Sequence, residues 1–117
     1  MILNCAGIGE STPPAPQLYT ISSSYCRSIT VDGTYGTNVT TKESEAYNGD
    51  TVTFAIIRTD MSGYDPIVRG DQGDEYSYEY VSTYQTGGGG RPPAPIEYWG
   101  VYRFVMPSDN VTITYDL

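Results

Sequence analysis

The period of the hydrophobic pattern constrains this chain more than any other feature. Val111, Ile113 and Tyr115 alternate with Thr112, Thr114 and Asp116, while Val52, Phe54 and Ile56 share a face opposite Thr51 and Thr53. Side chains two apart lie on one side of a strand, so both stretches fit half-buried strands. "LYTIS", "SITVD", "TNVTTK", "EYSYEYVSTY" and "IEYWGVYRFVM" read the same way, and no window offers a convincing amphipathic helix. Asp32-Gly33, Asn48-Gly49-Asp50 and Pro107-Ser108-Asp109-Asn110 supply turn chemistry between them. The expectation is an all-β domain: a small antiparallel β-sandwich or compact barrel of six to eight short strands. A C-terminal hairpin closes it, with Phe104, Val111 and Ile113 buried.

The 117 residues suit one domain with one core. Residues 1–17 hold "STPPAPQ", whose prolines lack donors and favour an extended conformation, and they read as a Pro/Gly-rich arm. Residues 18–117 are then the β domain. A flexible Gly/Pro loop is expected at 86–96, where "TGGGGRPPAP" cannot be regular structure. Gly63, Pro66, Gly70 and Gly73 make Met61 to Asp74 read as a long loop.

Composition narrows the function. There is no His, which removes the commonest general base and excludes a Ser-His-Asp or Cys-His site within this chain. No Walker, Rossmann or zinc pattern is present. With 14 acids on so small a domain, a solvated surface accounts for the carboxylates, and the chain reads as no enzyme. A formal charge of −8 opposes nucleic acid phosphate and anionic membranes, and no apolar run is long enough to insert as a helix. Asp60, Asp65, Asp71, Asp74 and Glu75 cluster in one Gly-rich stretch. Asp71, Asp74 and Glu75 are the candidate ligands should calcium bind, since carboxylates with backbone carbonyls begin to meet its demand for oxygens. Their spacing matches no EF-hand, and loop acids that keep the surface wet are the simpler account. Cys5 and Cys26 form either a disulfide or two separate thiols, because spacing does not establish geometry.

Tyrosine is the most unusual component: twelve, against two Phe and one Trp. Tyr76, Tyr78, Tyr80 and Tyr84 fall on one face of a single expected strand, with Tyr98 and Trp99 beside the next loop. Such a group suits a protein interface or a platform for sugar rings. A plain sheet face explains it as well, given the strand propensity of Tyr.

"YRFVMPSDNVTITYDL", with "NGDTVTFAI" and "SGYDP" upstream, resembles the divergent internalin-type B-repeats of bacterial surface proteins. The match covers roughly residues 28–66 and 102–117. Residues 67–101 look longer than that family's connection, and the arm has no counterpart. The resemblance implies a non-catalytic module of display or binding, and no active-site residue.

Two functions follow as expectations. The first is a structural or interaction module, a subunit or decoration protein of a virion or other large surface assembly, in contact with other protein subunits as an oligomeric assembly. A start Met without a basic n-region or secretory apolar run fits a virion component, which leaves its host by lysis. The alternative is a carbohydrate-binding or adhesion module of a bacterial surface protein, with glycans as partners. Either places the chain on a virion or extracellular surface.

Overall fold

A computed structural model describes residues 16–59 and 63–115. Ten strands form within them: β1 Leu18–Ser22, β2 Cys26–Gly33, β3 Gly36–Thr40, β4 Glu43–Tyr47, β5 Thr51–Ile57, β6 Pro66–Gly70, β7 Glu75–Tyr76, β8 Glu79–Thr86, β9 Glu97–Val105 and β10 Val111–Tyr115. They make two five-stranded sheets, with order β3-β2-β5-β9-β8 in the first and β4-β1-β10-β6-β7 in the second. The all-β sandwich expected from the alternation is present, as two layers and not a closed barrel. Every pairing is antiparallel but one: β10 runs parallel to β1, with Val111 opposite Ile21.

The core lies between the sheets. The first contributes Ile29, Val31, Val52, Phe54, Ile56, Tyr102 and Phe104; the second contributes Ile21, Ala46, Val68, Val111, Ile113 and Tyr115. The expected burial of Phe104, Val111 and Ile113 holds, but the organising ring is Phe54. It is fully buried and packs on Tyr102, Phe104 and Tyr78 at centroid separations of 5.6, 6.0 and 6.3 Å.

Three expectations are corrected. There are ten strands among the described residues, not six to eight. β6 lies inside the stretch read as a loop, because Pro66 opens it and Gly70 ends it; a proline at the first position costs the ladder little. β4 was hidden because its inward residues, Ser44 and Ala46, are small and do not look apolar in sequence. The third correction is the C-terminal hairpin. β9 belongs to the first sheet and β10 to the second, so they do not pair with each other. The chain crosses between layers at Met106-Pro107, burying Met106 completely.

That crossing is held by the Asn48-Gly49-Asp50 turn. The Met106 N–H donates to the Asp50 carbonyl at 2.8 Å. The Met106 carbonyl accepts from the Gly49 N–H at 2.8 Å and from Asn48 Nδ2 at 2.9 Å. Asn110 fastens the other end. Its Oδ1 accepts from the Thr20 N–H at 2.8 Å, and its Nδ2 donates to Asp71 Oδ2 at 3.0 Å. The turn residues thus join strands from separate parts of the sequence.

Candidate functional site

The tyrosine row does not lie on one strand. Tyr76 is in β7 of the second sheet, and the chain then passes at Ser77–Tyr78 to β8 of the first. The Tyr76 hydroxyl donates to Asp109 Oδ2 at 3.0 Å, and the Tyr78 hydroxyl donates to the Pro66 carbonyl. Tyr78 stands edge-on to Tyr102, 5.3 Å between centroids, so it completes the core. Tyr80 also packs on Tyr102, at 5.7 Å, but is 61% exposed. Burial raises the Tyr78 hydroxyl above the ordinary phenol value, with the Asp65 carboxylate adding to it.

A bulge then separates Tyr80 from Tyr84. Tyr102 faces Tyr80 and Val101 faces Ser82, which leaves Val81 as the extra residue. One inserted residue exchanges the faces of a strand. Tyr84 therefore lies on the outer face of the first sheet, opposite Trp99, while Trp99 is opposite Ile57 of β5 on its other side. Tyr98, adjacent in sequence, has the opposite face. Of the six aromatic candidates, the structure brings Tyr84 and Trp99 together on the outer face, gathers Tyr78 and Tyr80 on Tyr102, and sets Tyr76 and Tyr98 apart.

Their companion is Arg27, which sequence reasoning did not single out. It sits at the β2 irregularity between Cys26 and Ser28. With β5 and β9 lying between β2 and β8, its side chain runs across the sheet face. Arg27 Nη1 donates to the Tyr84 hydroxyl at 3.1 Å. The guanidinium carbon is 5.7 Å from the Tyr84 ring centroid and 5.8 Å from that of Trp99, within cation–π range of both. Trp99 Nε1 donates to Thr86 Oγ1 at 2.9 Å, which fixes the indole. Arg27 and Tyr84 are 57 positions apart, and only the strand order reveals the cluster.

Two of the three acidic candidates have their carboxylates engaged elsewhere, and the third its main-chain carbonyl. Asp71 accepts from Asn110, Glu75 pairs with Arg69 at 3.4 Å, and the Asp74 carbonyl accepts from the Gly70 N–H. Among the described residues, no three His, Cys, Asp or Glu gather as a metal site requires; Asp60 lies outside those residues. Cys5 and most of the arm also lie outside them, and so does the Cys5–Cys26 pairing. Open clefts border the sandwich. One, of about 380 Å³, runs along Tyr76–Glu79 and Arg103–Val105. Another, of about 630 Å³, is lined by β1, β3 and β4, where the hydroxyls of Thr40 and Ser44 are buried without a partner among the described residues.

Two buried groups make stability sensitive to alkali. Burial pushes the Cys26 thiol from 9.0 to about 11, against a hydrogen bond with Ser23 that lowers it. Burial also pushes the Tyr115 hydroxyl from 10.0 to about 12, against the lowering effect of Arg58. Below their ordinary values both groups are protonated in the folded and the unfolded chain. Above those values the unfolded chain loses its protons first, so stability falls as pH rises towards about 11 and 12. Tyr115→Phe removes one titration and keeps the buried ring. Urea melts are expected to show it close to wild type at pH 7, with a smaller loss between pH 10 and 12.

Comparison of the chain with family models, with curated proteins and with solved structures gave no match.

Proposed function

We propose that the chain is a non-catalytic interaction module, a subunit or decoration protein of a virion or other large surface assembly, which joins its neighbours through the edge strand β8. The observation that carries this reading is the character of that edge. β8 is eight residues long, pairs on one side only among the described residues, and is exposed at all but two positions. An unpaired strand edge is a ready template for a further strand.

Natural edges are commonly protected by Lys, by Pro or by inward-pointing charge. "EYVSTYQT" has no Lys or Pro, and its single charge, Glu79, is paired with Arg103 at 2.6 Å. The bulge at Val81 lies towards one end and leaves Ser82 to Thr86 in regular register. The sugar-binding alternative is favoured by a separate observation, the outward-facing Tyr84, Trp99 and Arg27.

Light scattering of the full chain tests the assembly reading. The expected result is a mass of several chains at micromolar concentration. Val81→Lys places a charge on the edge at a position that is already 41% exposed. It is expected to keep the fold and give single chains. Single chains for both proteins at every concentration contradict the reading.

A further inference from the structure

We infer that Arg27, Tyr84 and Trp99 form a binding site for a sugar that carries one carboxylate, of the uronic or sialic acid type. The site lies on the outer face of the first sheet, not on the β8 edge, so it stands or falls independently of the assembly reading.

Arg27 is the starting point. This is a chain of net charge −8, yet the ion pairs among the described residues are Arg69–Glu75 and Arg103–Glu79, and neither involves Arg27. Its guanidinium has five donors, of which the Tyr84 hydroxyl takes one. Two aromatic rings hold the group beside them, so its orientation is set before a ligand arrives. A planar fork whose other donors have no partner among the described residues matches a carboxylate with two parallel hydrogen bonds, which a lysine does not reproduce.

The surroundings point to a sugar as the bearer of that carboxylate. Trp99 is held by Thr86, and Trp99 and Tyr84 are cross-strand partners on the outer face of adjacent strands. Aromatic rings offer apolar area with little conformational freedom to lose. Ser28, next to Arg27, and Ser82, two residues from Tyr84, carry hydroxyls on this face, suited to partners that both donate and accept. The overall negative charge selects against dense polyanions such as nucleic acid, and leaves a single acidic group as the charge this locus tolerates.

Titration of the full chain, observed by NMR and by the fluorescence of its only tryptophan, tests the site. The probes are glucuronic acid, N-acetylneuraminic acid, glucose and acetate. One of the two acidic sugars is expected to bind and to perturb Trp99, and which one does so identifies the sugar. Glucose and acetate are each expected to bind at least about tenfold more weakly, since each lacks half of the recognition. Arg27→Gln is expected to lower affinity for the acidic sugar about tenfold or more. Tyr84→Phe, which keeps the ring and removes only the hydroxyl that accepts from Arg27, provides a second variant with the fold undisturbed and is expected to change the affinity measurably. Failure of both acidic sugars to bind at millimolar concentration overturns the proposal. So does acetate binding as well as the sugar, or Arg27→Gln binding unchanged. Light scattering on Arg27→Gln separates the two readings: assembly retained with sugar binding lost leaves each standing on its own result.

Discussion

Phe54→Ala is expected to lower the unfolding free energy by about 3–5 kcal/mol, the range for truncating a buried Phe. The residue is fully buried at the middle of β5, the central strand of the first sheet. It contacts rings from β9 and from the β7–β8 crossing, so its removal leaves Tyr102, Phe104 and Tyr78 facing a cavity. Tyr102 and Phe104 are anchored by β9 and Tyr78 by its hydrogen bond to the Pro66 carbonyl, so they close over it only in part. A domain of this size holds about 5–15 kcal/mol in total, so the loss takes a large part of the margin. Thr112→Ser, on the wet face of β10 and with its hydroxyl kept, is expected to cost well under about 1 kcal/mol. Denaturant melts of the two variants decide the point. Similar small losses would mean that the aromatic cluster does not organise the core.

Asp50→Ala is expected to cost about 2 kcal/mol, within the range for leaving a buried partner unpaired. Asp50 is 8% exposed, and its Oδ2 accepts the Tyr47 N–H at 2.9 Å. Its main chain meanwhile holds Met106, where the chain crosses between the sheets. Losing the carboxylate loosens the turn on which that crossing rests. Gly33 sits against the same carboxylate, and a Cβ there would collide with it. Gly33→Ala is accordingly expected to cost about 1–3 kcal/mol by overpacking. In the double variant the collision disappears, so the two losses should sum to less than their separate values. Additive losses in a double-mutant cycle would mean that Gly33 and Asp50 do not share this contact.

The sequence carried the layer structure well, because alternation at Val52 to Ile56 and at Val111 to Tyr115 is a local consequence of the pleat. It did not carry which strands pair. Val105 and Val111 are close in sequence, and a turn between two alternating runs reads as a hairpin whether the second strand returns beside the first or crosses to the facing sheet. The tyrosine row failed for a related reason. Counting by twos from Tyr76 to Tyr84 assumes one unbroken strand, and both the crossing at Ser77–Tyr78 and the bulge at Val81 interrupt the count. Arg27 left no local signal, since its partners come from strands that only the sheet order makes its neighbours. The hidden β4 and β6 show a further limit. Strands whose inward positions hold Ser, Ala or Gly, or which begin at Pro, lack the residues by which strands are recognised.

The claim that β8 is the joining edge is tested most directly by amide hydrogen exchange along Glu79 to Thr86 at high and low protein concentration. Half of an edge strand's amides point away from its partner strand and exchange freely unless another strand covers them. In the assembled protein, all amides of Ser82 to Thr86 are expected to be protected to the degree of those in β5. On dilution to single chains, alternate ones should become fast while β5 stays protected. Alternate amides that exchange fast at every concentration would contradict the account.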